Sequence, residues 1–190
     1  MNNPQLYFKN ENGVKWLRIF HHDFSGGFFN SKEEALNSNH FRKFSILSYL
    51  SSSYKINGAY RFLLDYPEAG SIDWSQEFLP TETTETETNF QRTDIKIHRN
   101  DNDFTHFRGL MLTSTSDSLI DGDKYSLGRY WYSIGTISYG NIIPGPYVND
   151  ITKEVNSVTL WIRVRDTCIT RQRCSSKFSL NTILLICLYS

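Results

Sequence analysis

The spacing of apolar positions along the chain predicts strands far more often than helices. Large apolar side chains occupy every second position over Ala59–Tyr66, and again from Val158 to Val164. An alternation of period two is typical of a strand that buries one face. We therefore predict strands over residues 59–66 and 156–164, and we expect the second of them to close the sheet.

Other runs rich in β-branched and aromatic residues predict further strands. They lie at residues 14–20, 93–98, 107–113 and 129–134. Residues 71–80, which carry Trp74 and Phe78, are predicted to form a loop. The alternating Thr and Glu of residues 81–88 fit either a solvated loop or a charged edge strand, and we favour the loop.

Helical signals are few and local. Ser31 and Glu34 have the spacing of a capping box, in which the serine hydroxyl accepts the Glu34 amide and the glutamate side chain answers back. This pattern predicts a short helix over residues 32–36, ended by the polar cluster 37–39. Apolar residues spaced by three predict one or two helical turns within residues 44–52.

Short strands, separated by turn clusters and brief helices, favour an antiparallel β-sandwich over a βαβ fold. We predict a mainly β, jelly-roll-like domain with one or two short helices over residues 1–164. Residues 165–190 change character, because they hold four basic residues, one acid and all three cysteines. We expect this segment to be a tail outside the fold.

Composition narrows the classes of partner. The formal net charge is zero and the pI is near 7, which argues against nucleic acid and against a basic membrane-surface module. The apolar run Ile183–Leu188 is far shorter than the roughly 20 residues of a membrane span. Met1–Asn12 resembles no signal peptide, so an extracellular or cell-surface location requires that the chain belong to a longer secreted protein.

Aromatic side chains are concentrated around a glycine-rich stretch, and they suggest a binding face. The candidates for contact with a ligand are Tyr130, Trp131, Tyr132, Tyr139 and Tyr147. Tyr and Trp serve interfaces when exposed and a core when buried, and both alternatives stay open here. We predict a non-enzymatic module whose loops at residues 121–132 and 141–147 bind a carbohydrate or a protein surface, with Trp131 and Tyr132 as anchors.

Two acidic turns are candidate calcium sites. Asp101 and Asp103 are two residues apart, as are Asp121 and Asp123. Calcium binds carboxylate oxygens in such loops, whereas Asp also forms ordinary turns by bonding its own backbone. The cofactor prediction is therefore either calcium or none.

Two further readings of the function are kept as alternatives. His21 and Asp23, with a distant His98 or His106, could form the two-histidine, one-carboxylate set of a non-haem iron enzyme. The same residues equally suit a polar strand end at the rim of a sandwich. The last alternative is a structural domain of a larger multidomain protein with no small ligand.

Trp16–Phe20, Asp23–Phe29 and Ser31–Ala35 together resemble the opening of fibrinogen C-terminal-like domains. The turn at Asp101 and Asp103 is similar to that family's calcium loop, so the resemblance implies that these two aspartates bind the ion. It also implies a secreted or cell-surface recognition module for glycans, acetylated groups or proteins. The second half of the chain is more similar to a lectin-type jelly roll.

Overall fold

The computed structural model describes residues 5–80, 92–98, 107–122, 131–138, 140, 142–148 and 151–165. Within them one α-helix, α1, spans Lys32–Leu36, and short 3-10 turns occur at Phe24–Gly26, Leu47–Tyr49 and Ser52–Tyr54. The strands are β1 (Phe8–Glu11), β2 (Val14–Asp23), β3 (Ser38–Asn39), β4 (Lys43–Ser45), β5 (Tyr60–Tyr66), β6 (Gly70–Gln76), β7 (Arg92–His98), β8 (Met111–Leu112), β9 (Ser118–Asp121), β10 (Ile134–Thr136), β11 (Ile143–Val148), β12 (Ile151–Val155) and β13 (Ser157–Arg163).

These strands form one large sheet and two small ones. The large sheet has eight strands in the order β3-β4-β2-β13-β5-β6-β7, and β1 pairs with β2 beside this path. The small sheets have the orders β10-β9-β8 and β11-β12. Every strand pair is antiparallel. The predicted fold class, mainly β with antiparallel sheets and a short helix, is confirmed.

One face of the large sheet is the floor of the core. A row of paired residues crosses four of its strands, from β2 through β13 and β5 to β6: Leu17, Ile162, Phe62 and Trp74. All four side chains are buried. Burying a large apolar side chain stabilises a fold by about 1.5–3 kcal/mol, so rows of this kind explain why the alternating sequences form strands.

The two small sheets cover that floor. Leu119 and Ile120 of β9, Ile134 of β10, Ile143 of β11 and Val155 of β12 belong to the same apolar cluster as the large sheet. The layers are therefore those of a β-sandwich-like fold. The two layers are unequal in size, because the second layer consists of two short sheets, whereas a sandwich usually has a second sheet of similar size to the first.

A glycine lets α1 approach the covering layer. Gly135 of β10 has a φ of +72°, and a Cβ atom there would lie 2.8 Å from the Cβ of Ala35 and 2.9 Å from the Cβ of Leu119. Ala35 is the buried residue of α1. A side chain at position 135 would thus meet both the helix and β9, in a backbone conformation that already favours glycine.

Helix α1 occupies the predicted residues, but its cap differs in one respect. The Ser31 hydroxyl accepts the Glu34 amide at 3.3 Å, as expected. The Glu34 carboxylate instead accepts the backbone amide of Asn30 at 2.7 Å, one residue before the cap, and pairs with Lys43 Nζ at 3.1 Å. The glutamate therefore ties the helix start to β4 as well as to its own turn.

The predicted loop at residues 71–80 is wrong, because most of it is strand β6. Trp74 is fully buried, and its Nε1 donates to Gln76 Oε1 at 2.9 Å. The Gln76 amide donates to the carbonyl of Leu110 at 2.8 Å and its oxygen accepts the Leu110 amide at 3.0 Å. A glutamine satisfied in this way can occupy an inward position that would normally be apolar.

Strand β13 does not close the sheet as expected. Its alternation is confirmed, with Val158, Leu160, Ile162 and Val164 buried, but it lies between β2 and β5 in the interior of the sheet. Strand β2 extends the predicted 14–20 segment to Asp23, and β7 confirms a strand at residues 93–98.

Three other segments differ from their predictions. Residues 44–52 begin in β4 and contain one complete 3-10 turn at Leu47–Tyr49, and a second begins at Ser52, so the helical prediction holds for these turns and not for the start of the segment. The strand predicted at 107–113 is limited to β8. Of the strand predicted at 129–134, residues 129–130 lie outside the described residues, residues 131–133 are not in a strand, and Ile134 begins β10. Residues 81–88 and the tail beyond Arg165 lie outside the described residues.

Candidate functional site

The outer face of the large sheet carries the side chains that point away from the core. Trp16 of β2 pairs with Arg163 of β13, and Arg61 of β5 pairs with Ser75 of β6. Because cross-strand partners lie on one face of a sheet, these four residues form a row on the side opposite Leu17, Ile162, Phe62 and Trp74. Polar and charged groups predominate in this outer row.

Strand β1 covers part of the outer face with cations and rings. The Lys9 ammonium lies 4.8 Å from the centre of the Trp161 ring, and the Arg18 guanidinium lies 3.5 Å from that of Tyr7. Such cation–π contacts contribute about 0.5–1 kcal/mol at exposed sites. The first contact links β1 to β13 across the outer face, and the second links the residue before β1 to β2.

Two Asn-Gly turns stand at the open end of this face. Asn12 and Gly13 join β1 to β2, and Asn57 and Gly58 precede β5. All four residues have positive φ, from 52° to 83°, a conformation that these residue types adopt readily. Strands β2 and β5 are both antiparallel to β13, so both turns lie at the same end of the sheet.

A groove of about 560 Å³ occupies this end of the outer face. We call it the outer groove, and the described residues that line it are Val14, Trp16, Ile56, Asn57, Ala59, Arg61, Asp73, Ser75, Lys96 and Arg163. A smaller cavity of about 180 Å³ adjoins it near Glu11 and Asn12. Trp16, which is 5% exposed, is one of these lining residues.

Charge in the outer groove is unevenly compensated. Arg61 forms an ion pair with Asp73 and donates a hydrogen bond to the Ser75 hydroxyl at 3.2 Å. Lys96 and Arg163 are exposed, and neither forms an ion pair with any residue that the structure describes. The described lining thus holds three cations and one carboxylate, which leaves a net charge of +2.

The two predicted anchors are not at the surface. Trp131 is 3% exposed, and Tyr132 is fully buried with its ring centre 5.1 Å from that of Phe107. Gly122 leaves the space for this, because a Cβ there would lie 2.7 Å from the Tyr132 Cβ. The prediction that these residues are exposed anchors is wrong, since they complete the core. Tyr130 and Tyr139 lie outside the described residues, as does the side chain of Tyr147 in β11.

The loops predicted to form the binding face do come together. The Tyr132 amide donates to the carbonyl of Gly145 at 2.9 Å, and the Ser133 amide donates to that of Pro144 at 3.0 Å. The side chains of Trp131 and Tyr132 are nevertheless buried, and burial stabilises such side chains more than exposure would. The contact between the loops is therefore part of the packing.

Of the predicted calcium ligands, only Asp121 is described. It is buried to 4% exposure, and its Oδ1 accepts the backbone amide of Gly122 at 2.7 Å. Asp101, Asp103 and Asp123 lie outside the described residues, so calcium at either turn stays a prediction. In the part of the chain that is described, no three His, Cys, Asp or Glu side chains converge on a common point that could hold a metal.

The pair predicted for iron lies on one face, because β2 continues through both residues. His21 Nδ1 is 2.9 Å from the Thr159 hydroxyl, and burial lowers the pKa of its ring. Asp23 accepts the Ser25 amide at 2.9 Å, and a hydrogen bond from the Ser25 hydroxyl lowers its pKa. The His98 side chain and all of His106 lie outside the described residues.

His22, between these two residues, points into the core. It is fully buried, its Nε2 donates to the carbonyl of Gly27 at 2.9 Å, and its ring centre lies 4.8 Å from that of Phe29. Burial lowers the pKa of His22 to about 4, and the nearby charge of Lys43 adds to the shift. The ring is therefore neutral in the folded protein at pH 7.

The outer groove was missed by the sequence prediction. Its residues extend from position 14 to position 163, so no local motif joins them. The one available signal was the pair of Asn-Gly turns, which indicate hairpin ends but say nothing about which ends meet.

Comparison of the chain with known protein families, with curated proteins and with solved structures finds no match. Among the described residues, none of the helices has the length and apolar character needed to cross a bilayer.

Proposed function

We propose that this domain is a non-enzymatic binding module and that the outer groove is its ligand site, with a saccharide as the ligand. The observation that carries the proposal is the groove itself, a concave site of about 560 Å³ at one end of a rigid sheet. This volume lies within the range of about 300–1,000 Å³ typical of small-ligand pockets. A protein surface, the alternative ligand, usually needs about 800 Å² of contact on each partner.

The lining also suits a sugar. Val14, Ile56 and Ala59 offer apolar surface, while Asn57 and Ser75 offer polar groups. Hydroxyl and amide groups of these types can both donate and accept hydrogen bonds, as saccharide hydroxyls require. A ring with one apolar face and a polar rim would find both kinds of partner in the outer groove.

Two pairs of neighbouring strands hold four of the side chains that line the groove. Arg61 and Ser75 come from the paired strands β5 and β6, and Trp16 and Arg163 come from the pair β2 and β13. Sites built on strands are held more rigidly than sites on loops. The proposal keeps the recognition role expected from the sequence and moves it from the aromatic loops to the sheet.

Filling the groove tests this function. Ala59→Trp places a large ring in the groove lining, and we expect it to abolish binding to a panel of immobilised neutral and acidic oligosaccharides. Phe41→Ala is the control, because it removes a side chain that is 65% exposed and lies outside the groove lining. Thermal unfolding checks that both variants remain folded.

Three results would count against the proposal. The wild-type chain could bind none of the oligosaccharides, or Ala59→Trp could bind as the wild type does while folded. If the wild type binds no saccharide but Ala59→Trp still binds a protein partner, the result would favour the protein-surface alternative.

A further inference from the structure

The outer row places two guanidinium groups on neighbouring strands. Ile162 of β13 pairs with Phe62 of β5, so the next residue of β13, Arg163, lies beside the preceding residue of β5, Arg61. Like charges at facing positions of a sheet destabilise it. Asp73 relieves this for Arg61 by forming its ion pair, and no described residue does so for Arg163.

A third cation lies on the far side of the same carboxylate. Lys96 of β7 faces Asp73 of β6 in the strand register, but the structure pairs Asp73 with Arg61. The Lys96 ammonium is therefore left exposed in the groove lining. Arg163 and Lys96 thus lie on either side of the Arg61–Asp73 ion pair, and neither charge is compensated by it. Together they create a local positive field, although the net charge of the whole chain is zero.

We infer that the outer groove is specific for acidic saccharides, and that Arg163 and Lys96, which lie three strands apart, each bind a carboxylate or sulfate group of the ligand. This inference rests on the proposed function and names its ligand class. An anion beside Arg163 would offset the repulsion between Arg61 and Arg163, and an anion beside Lys96 would give that ammonium a partner. The forked guanidinium of Arg163 matches a planar carboxylate or a sulfate, and the ammonium of Lys96 acts as a point charge.

The mixed character of the site favours a sugar over a bare anion. Asn57 and Ser75 can bind hydroxyl groups, whereas Trp16 and Val14 offer apolar surface to the ring. The acidic groups of the sugar form the ionic contacts with Arg163 and Lys96, and the rest of the sugar occupies the uncharged part of the lining.

Three tetrasaccharides of equal length test the inference by titration calorimetry on the full chain. One is neutral, one bears carboxylates only, and one bears sulfates as well. We expect both acidic probes to bind more tightly than the neutral one, with an affinity that falls as salt is added, because salt screens exposed charges. The comparison of the two acidic probes shows which group the site prefers.

Charge-neutralising variants locate the interaction. Arg163→Gln and Lys96→Gln are each expected to weaken binding of the preferred acidic probe about tenfold, the effect of losing one charge-assisted hydrogen bond. Binding of the neutral probe is expected to weaken less than binding of the acidic probe in both variants. Arg108→Gln is the matched control, since Arg108 is exposed and does not line the groove. Exposed Arg and Lys side chains tolerate Gln with little loss of stability, and thermal unfolding verifies this.

The outcomes separate this inference from the proposed function. Equal affinity for the neutral and acidic probes, with binding still abolished by Ala59→Trp, overturns acid specificity and leaves the saccharide site standing. Acid-specific binding that survives in the Arg163→Gln, Lys96→Gln double variant overturns the assignment of the two cations. Failure of all three probes to bind overturns both the acid specificity and the saccharide site. If an acidic peptide binds where the saccharides do not, the proposed class of ligand is wrong.

Discussion

Acidification from pH 7 to pH 5 is expected to destabilise this domain by about 2 kcal/mol through His22 alone. The pKa of His22 is about 4 in the folded protein, against about 6.5 for an unfolded chain. Between these values the unfolded state binds a proton that the folded state does not, so stability falls as the pH falls. One pKa unit corresponds to about 1.36 kcal/mol, and most of the span from 6.5 to 5 contributes.

The cause lies in the surroundings of the ring. His22 is fully buried beside Phe29, with Nε2 already donating to Gly27. A proton on Nδ1 would place a charge in this apolar site and near the ammonium of Lys43. For a domain whose total stability is about 5–15 kcal/mol, the expected loss is large enough to measure.

Urea unfolding at pH 7 and pH 5, followed by tryptophan fluorescence, gives the free energy of unfolding at each pH. His22→Gln keeps an N–H group for Gly27 but does not titrate, and its loss between the two pH values is expected to be about 2 kcal/mol smaller than that of the wild type. His21, whose pKa is also lowered by burial, is present in both proteins, so its contribution cancels. Equal losses in the wild type and His22→Gln would refute the argument.

His40→Gln is the matched control. His40 lies in an exposed position between β3 and β4, outside the buried core. We expect this variant to lose as much stability as the wild type on acidification. A reduced loss in His40→Gln would show that the effect of His22→Gln is not specific to the buried ring.

Three further changes test the packing, each measured as the free energy of unfolding in urea. Gly135→Ala is expected to destabilise the domain by about 2–4 kcal/mol, because strain at positive φ adds to overpacking. Its control, Gly13→Ala, also has positive φ but no atom within 4 Å of the added Cβ, and it is expected to lose only about 1 kcal/mol. Equal losses in the two variants would contradict the close approach of Ala35 and Leu119 to position 135. Trp74→Ala is expected to lower the free energy of unfolding by about 3–5 kcal/mol, whereas Phe41→Ala, at an exposed position, is expected to lower it by less than about 0.5 kcal/mol. A small loss in Trp74→Ala would show that the core repacks around the cavity. Ser31→Ala is expected to lose about 1 kcal/mol through its helix cap, and an unchanged stability would mean that the capping hydrogen bond contributes nothing.

Sequence patterns predicted the fold where one physical effect dominated. Strict alternation identified β5 and most of β13, and the Ser31 cap identified α1. In β6 the alternation was also present, as Ile72, Trp74 and Gln76 against polar neighbours. It was missed because a buried glutamine looks like a surface residue until its partners on Leu110 are known.

The site could be predicted less well than the fold. Trp131 and Tyr132 have a composition that suits an interface and a core equally, and the deciding fact is the space that Gly122 leaves for Tyr132. Arg163 and Lys96 have no sequence neighbours in common, and only the pairing of strands brings them to one groove. Tertiary contact, rather than local pattern, determines both outcomes.

The position of β13 has a consequence for folding during synthesis. Strands β2 and β5 are made more than 90 residues before the segment that lies between them. Until Ser157–Arg163 leaves the ribosome, each of these strands has a free edge where the completed sheet has a neighbour, and unpaired edges invite association with other chains. The nascent protein must therefore hold two incomplete halves apart from other chains and join them in a late, slow step that depends on contacts between distant residues.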